Sequence, residues 1–417
     1  KAREYIPVGT LLWDTCRDIF SSLIRTPYVL GRHIFSSPFP PHNQPRGTSP
    51  IPRMSGFCLY LVTPLLLSLA VYPVLRTLQA GHPLSYMYPN LLLFTNLREE
   101  TRAIWRTVLQ FPSEKVVAQH IPVIAYADYS MEALRKATNN WRSPVIVRGM
   151  FSNTPATEKW ATDGYLAGII GDFMIPVVKD AVYNTLQNDR GVVPFKEAFT
   201  EIVENPDSKM YMFFPVKSRF HFNGSDLGSL EKLQALEMLQ EKINEVVLQD
   251  LEIDTRIWKG FGTKAHSTYY GSQLIIGQGS NDTDVTTGTG WHCAAGNNWF
   301  VQVKGSKRWY FMDPKHSAAM HPLRGGRVNM MTGTPNMSHF QQYVPHQYAD
   351  LIEGDMLYNP DWQWHTIRNY EGLSIGVPIR EFNLSLSFQN NVQFSSIVLI
   401  NKFLEKFGVD IGGYPPV

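Results

Sequence analysis

The chain has 417 residues, 44% of them hydrophobic and 12% aromatic, enough to bury a large core. That excludes a disordered chain and favours one sizeable globular domain with appendages. Lys+Arg at 38 against Asp+Glu at 36 leaves a formal charge of +2, which excludes a global basic footprint for nucleic acid; local groups such as Lys304, Lys307 and Arg308 fit a ligand pocket better.

Residues 1–53 read as an N-terminal amphipathic and linker segment. From Leu11 to Ile24 apolar residues mix with Arg17 and Asp18 at helical spacing, which suits either an interfacial helix or a helix packed on a partner. Residues 36–52 are rich in Pro, Ser and Gly and read as an extended linker. Residues 54–76 follow as a predicted transmembrane helix. Met54 to Leu75 carries no charge and is bracketed by Arg53 and Arg76, and at helical rise it reaches roughly 33 Å, enough to cross a bilayer. A buried hydrophobic hairpin is the alternative. Residues 1–53 hold seven Lys/Arg against three acids, so this side is the candidate positive-inside face and the large domain lies across the membrane. Of the three cysteines, Cys16 and Cys58 belong to this region and Cys293 stands alone in the globular part. No disulfide framework is possible there, which leans towards a reducing or mitochondrial compartment. The mitochondrial inner membrane is the first expected location and the endoplasmic reticulum membrane its rival.

Residues 77–142 read as a helical connector, polar on one face from Leu97 to Trp141. At Pro144 the pattern switches to the β-branched run Val145-Ile146-Val147, closed by Gly149, and a strand is predicted. Helices are predicted over 196–204 and 230–248, the second with Leu230, Leu233, Leu239, Ile243 and Val246 at roughly 3.6-residue spacing. From Leu274 to Gln389 the character is all β. Residues 299–303 and 307–311, joined by Lys304-Gly305-Ser306, carry a hairpin signature. Further strands over 355–358, 362–368 and 373–388, with short turns between them, favour a small double-sheet barrel. Residues 143–390 are therefore the predicted barrel domain. Residues 391–417 form a C-terminal helix and tail, with Ile397, Ile400, Phe403, Leu404 and Phe407 largely on one side, packed either on the chain's own barrel or on another subunit.

Two segments carry the chemistry. Thr289-Gly290-Trp291-His292-Cys293-Ala294 holds one histidine, and Gly354-Asp355 through Trp364-His365 holds another, 73 residues on. Two histidines and a carboxylate on one face hold Fe(II) in non-haem oxygenases, and alternate residues of neighbouring strands can assemble such a face. Together with Thr289, Asn298, Gln302, Lys304-Gly305, Lys307-Arg308 and Pro360, the two segments resemble the cupin-like jumonji C family of Fe(II)/2-oxoglutarate oxygenases, of the asparaginyl-hydroxylase type. The resemblance runs from about Pro144 to Phe388. It implies an α+β chain with a double-stranded β-helix (cupin or jelly-roll) barrel and flanking helices, to which the N-terminal transmembrane helix is added. It also implies that His292 and His365 are iron ligands and that Thr289, Asn298 and Lys307 contact 2-oxoglutarate, the lysine pairing with its distal carboxylate.

The departure from the family is Ala294, where relatives carry Asp or Glu. A methyl group cannot coordinate a metal, and Cys293 should point to the opposite face of the strand from His292. Pro378 stands in the late strand region where relatives carry a polar residue facing the cosubstrate. The first expectation is therefore a catalytically inactive, membrane-anchored barrel, an accessory or structural subunit of a membrane complex that does not bind nucleic acid, with neither Fe(II) nor 2-oxoglutarate in use. An Fe(II)/2-oxoglutarate-dependent hydroxylase, or a halogenase-like enzyme in which a halide takes the vacant position, is the second. A binding module for 2-oxoglutarate or a related carboxylate is the third.

Overall fold

The computed structural model describes residues 115–399, apart from 163, 180–189, 214–229, 258–268, 282–286 and a few positions between 321 and 397. The uncharged run at 54–75, the segments around it and the tail from 400 onward lie outside the described residues. Among those described, no helix is long and apolar enough to cross a membrane.

The strands are β1 (Gln119–His120), β2 (Val123–Ala125), β3 (Val145–Arg148), β4 (Met174–Val178), β5 (Arg190–Pro194), β6 (Tyr211–Phe213), β7 (Tyr269–Ser272), β8 (Ile275–Gly279), β9 (Gly288–Ala294), β10 (Asn297–Lys304), β11 (Lys307–Met312), β12 (Pro322–Arg324), β13 (Asn329–Thr332), β14 (Gln347–Leu351), β15 (Met356–Asn359), β16 (Trp364–Asn369) and β17 (Gly372–Glu381). They form a seven-stranded sheet in the order β1-β14-β11-β16-β9-β13-β12, and a ten-stranded sheet in the order β2-β3-β15-β10-β17-β8-β6-β4-β5, with β7 pairing β17.

Alternation along the strands sorts side chains into three apolar layers. Phe300, Leu357, Ile146 and Ile275 of one sheet meet Trp309, Phe311, Ile367, Ala349 and Leu351 of the other, and this layer is the barrel interior. The outer face of the larger sheet, with Trp299, Val301, Val303, Ile375, Val377 and Ile379, packs against helices. These are α1 (Met131–Ala137), α2 (Pro155–Lys159), α3 (Tyr165–Ile170), α4 (Phe195–Glu204), α5 (Leu230–Asp250) and α6 (Ile253–Arg256). Two more, α7 (Ser317–Met320) and α8 (Leu384–Asn390), follow later in the chain. The outer face of the smaller sheet presents Trp291, Cys293, Met312, Met330 and Trp364, covered in part by Phe394 and Val398, so the described part of the C-terminal segment packs on the chain's own barrel.

Local signals account for the helices. Ala133 N–H donates to Ser130 Oγ at 3.1 Å and starts α1. Thr154 closes a reciprocal capping box at the head of α2, with Pro155 at the first position. α4 buries Phe195, Ala198, Phe199 and Ile202, one stripe of a 3.6-residue period, and α5 does the same with Leu239, Ile243 and Val247. The predictions at 145–148, 196–204 and 230–248 match these elements.

Three expectations differ from the structure. Residues 119–125, predicted helical, form β1 and β2, which extend the two sheets by parallel pairing with β14 and β3; among the described residues of the expected connector, α1 is helical as predicted, and residues 77–114 lie outside the described residues. The strand expected to run to 388 stops at Glu381, because Asn383 accepts from Leu386 N–H at 3.2 Å and caps α8 instead. Most importantly, β10 and β11 are not a hairpin. β10 pairs with β15 and β17 while β11 pairs with β14 and β16, so Lys304-Gly305-Ser306 is a corner at which the chain leaves one sheet for the other. β10 is buried on both faces, which a strand sandwiched between the barrel interior and the helices demands and a surface hairpin does not, while β11 keeps Arg308 and Tyr310 partly exposed on its outer face.

Gly305 makes that corner possible. Its φ is +69°, and a Cβ there would run into the carbonyl oxygen of Leu373. Gly305→Ala is expected to lower unfolding stability by about 1–3 kcal/mol, read as a shift of the denaturant midpoint at unchanged slope.

Candidate functional site

β9 and β16 run antiparallel with His292 directly opposite His365 and Thr289 opposite Ile367. Between those pairs β9 uses three residues where β16 uses two, which is a β-bulge. The bulge decides the site. On a regular strand Thr289 and His292, three apart, would face opposite ways; here both lie on the interior face, the one shared by Ile367. Trp291 and Cys293 face outward into the methionine-rich layer. That is the orientation expected for Cys293, whose buried thiol is pushed well above its ordinary pKa by loss of solvent.

The two imidazoles are 4.2 Å apart, centroid to centroid. His292 Nδ1 lies 2.8 Å from Gly290 O and His365 Nδ1 lies 2.8 Å from Gln363 O. Each Nδ1 therefore carries the proton it donates, and each Nε2 is left as an acceptor directed away from its own strand. Burial lowers the His292 pKa to about 4, with Arg380 adding to the effect, and burial, His292 and Arg380 hold His365 well below the usual range. Both rings are neutral at pH 7.

Along the interior face of the smaller sheet the histidine row continues to Phe311 on β11 and to Met331 on β13, and Ala294 stands two residues beyond His292, opposite Asn329. Facing this row from the larger sheet, Asn359, Asn298 and Arg380 sit side by side in register. Asn359 Nδ2 comes within 3.4 Å of His365 Nδ1, and Arg380 depresses both imidazoles, so the two rows meet. Thr289 Oγ1, Asn298 Oδ1 and Asn359 Oδ1 are buried without a hydrogen-bond partner. The Arg380 guanidinium reaches Gln273 Oε1 at 3.4 Å, and burial holds its pKa down to about 10 against the pull of Asp361.

Below the histidine row the interior is apolar. Trp309 stacks on His365 with centroids 5.2 Å apart and planes at 22°, and Phe300 meets Trp309 edge-on at 4.9 Å. Lys307 lies beneath this layer, fully buried, its ammonium donating to Asn369 Oδ1, and Asn369 Nδ2 donates in turn to Thr287 Oγ1 at 2.6 Å. Burial brings the Lys307 pKa down to about 7. A cavity of about 10 Å³ between α3 and α5 is apolar, roughly the space of one water, and lies away from these residues.

The structure thus brings His292, His365, Thr289, Asn298 and Lys307 to one interior, with Lys307 set apart from the histidines by Trp309 and Phe300. Among the described residues no three of His, Cys, Asp and Glu gather as a metal-binding group. Sequence reasoning missed Asn359, Trp309 and Arg380. Pro378, singled out in the sequence, pairs with Phe300 one row deeper, and the polar residue of that strand end is Arg380. The alternation Gly376, Pro378, Arg380 against outward Ile375, Val377, Ile379 was the available signal.

A two-sheet barrel with a histidine pair on neighbouring strands of one sheet defines the class as a cupin. Residues 132–380, more than half of the chain, match the model of the cupin-like domain, and the chain belongs to that family, among cupin and jumonji C-type proteins. No curated protein matched the chain.

Lys307 sets a pH dependence. Its folded pKa lies below the unfolded value, so between about pH 7 and 10 the unfolded state binds the extra proton and stability rises with pH. Lys307→Met, of similar volume, is expected to flatten that rise and to stabilise the protein at pH 7 by a few kcal/mol, about the size typical of replacing a buried charge. Denaturant unfolding at pH 6, 7, 8 and 9 reads both effects.

Proposed function

We propose that this is a cupin-like, jumonji C-type barrel that does not carry out iron-dependent hydroxylation, binds a small organic acid instead, and acts as an accessory subunit attached to a membrane. Charge balance is the observation that carries this reading. The histidine row and the row facing it contain two neutral imidazoles, two carboxamides and one guanidinium, and no carboxylate.

Iron fits these residues poorly. In the asparaginyl-hydroxylase type that the motifs resemble, the position of Ala294 holds an acid; here a methyl group stands on the interior face, with Asn329 and Met331 as its neighbours on β13. Fe(II) would have two neutral ligands and a guanidinium close by, which opposes the cation. The cosubstrate fits in part. Thr289, Asn298 and Lys307 all face inward, yet 2-oxoglutarate stretched from the histidines to Lys307 would have to displace Trp309 and Phe300. The halogenase-like alternative gains a methyl in place of a carboxylate at Ala294 and Arg380 as a cation acting on both imidazoles, but it needs iron on the same two neutral imidazoles. A small anion at Arg380 is favoured over all of these, because that guanidinium has no carboxylate within ion-pair distance among the described residues.

The purified protein is expected to hold no stoichiometric Fe(II) and to consume no 2-oxoglutarate under oxygen. Ala294→Asp is expected to raise Fe(II) affinity by at least about 100-fold, since an anionic ligand is added to an oriented pair. Stoichiometric iron with 2-oxoglutarate consumption in the wild type would sink the proposal.

Membrane attachment rests on the uncharged run between Arg53 and Arg76. Carbonate extraction of cell membranes should leave the full chain in the pellet and release a variant lacking residues 54–75; release of both would contradict the anchor.

A further inference from the structure

Asp361 joins three parts of the molecule. It is 1% exposed and lies in the turn between β15 and β16, where Gly296 N–H donates to its Oδ1 and its own N–H donates to Asn297 Oδ1 at 3.2 Å. Its Oδ2 is buried with no hydrogen bond in range, and the Ser387 hydroxyl of α8 acts on the group without closing one. The next residue, Trp362, holds φ at +62°, a strained conformation for a side chain of that size, while its N–H donates to Ala294 O at 2.9 Å. The Trp362 indole N–H is 2.9 Å from both Ser387 Oγ and Ser395 Oγ, and those two hydroxyls are 3.0 Å apart.

α8 and the described residues after it, up to Leu399, are held to the barrel by side chains. Phe394 meets Trp362 and Trp364 edge-on at 5.4 and 6.3 Å, and Val398 packs in the same layer. Asn390 Nδ2 and Gln389 Nε2 donate to Trp141 O and Asn140 O at 3.1 Å each. Among the described residues no backbone hydrogen bond ties this segment to a strand. The remaining groups around Asp361, on Gly296, Asn297, Tyr358 and Arg380, lie in or next to strands fixed in a sheet. Of the walls enclosing the carboxyl, the C-terminal segment is therefore the one that opens at least cost.

A carboxylate at this position lacks both water and an ion pair. Facing it, β17 brings Glu381, which repels the charge, and Arg380, which acts from beyond ion-pair distance, and β15 brings Tyr358. The turn at Gly296 and the whole of residues 384–399 bring no titratable side chain. We propose that α8 and the residues up to Leu399 form a cover over the outer face of the smaller sheet, latched while Asp361 holds a proton and loosened when it loses one. The charge left by the proton reaches water by displacing Ser387, and Ser395, Phe394 and Val398 move with it. Burial lifts the Asp361 pKa to about 7 against the pull of Gly296 N–H and Ser387. The latch is therefore at full strength below about pH 4, where an exposed aspartate titrates, and weakens as the pH rises to about 7. It works the same way whatever the barrel interior binds.

Hydrogen exchange of the full chain in detergent, read by mass spectrometry at pH 5, 6, 7 and 8 and corrected for intrinsic rates, follows the cover. Opening of residues 384–399 is expected to rise about a hundredfold from pH 5 to pH 8, most of it below pH 7, and to exceed the opening of β10 and β17 at each pH. Asp361→Asn, checked by circular dichroism and its melting temperature, is expected to keep the cover near its pH 5 level throughout. The double variant Ser387→Ala, Ser395→Ala keeps the titrating group and is expected to speed opening by about tenfold at every pH with the pH slope kept, which tests the latch even where Asp361→Asn does not fold. A flat profile in the wild type, or the wild-type slope in Asp361→Asn, would overturn the proposal. Exchange in 384–399 as slow as in β10 and β17 would place any release in unfolding of the whole barrel, and would overturn it as well.

Discussion

The pairing of β9 with β16 is the constraint on which the interior depends. Two residues of one strand span the same distance as three of the other, and the extra residue turns Thr289 and His292 to a common face while Trp291 and Cys293 stay outside. Without that bulge the histidine opposite His365 would keep its place and Thr289 would leave the interior. The backbone carbonyls of Gly290 and Gln363 then fix both ring orientations from within the same two strands. The geometry that presents two Nε2 atoms is thus a property of the sheet and needs no third ligand to hold it.

What the sheet presents, the electrostatics then sort. Around the histidines the barrel has removed water and supplied a guanidinium, and both changes favour the neutral imidazole; below them it has buried an ammonium against a single carboxamide oxygen. A divalent cation gains little in such surroundings and an anion gains much. Trp309 adds a steric term, because its ring fills the row between His365 and Lys307 that an extended cosubstrate would cross. These three features point the same way independently.

Much of this was legible in the sequence, and the losses have physical causes. The two histidines, Thr289, Asn298 and Lys307 were found because their spacing matches a known pattern, and the outward turn of Cys293 follows from period-two alternation alone. The corner at Lys304-Gly305-Ser306 was misread because a glycine turn looks the same whether the strands it joins pair with each other or with different sheets; the apolar run on both faces of β10 was the distinguishing sign. The bulge has no sequence signature of its own beyond Gly290. Arg380 carries no motif of its own, and only its parity with Pro378, two residues earlier on the same face, places it inward. Asn359 lies one residue past the strand predicted over 355–358; that strand in fact runs Met356–Asn359, and parity with Leu357 places Asn359 inward.

The central claim is that the two histidines face an anion-tolerant, metal-poor enclosure. Anomalous scattering from crystals of the wild-type protein grown with excess Mn(II), as a redox-stable stand-in for Fe(II), tests it most directly. No anomalous peak is expected within coordination distance of His292 Nε2 and His365 Nε2, with ordered water or an organic molecule contacting Arg380 instead. A full-occupancy metal bonded to both imidazoles would contradict it.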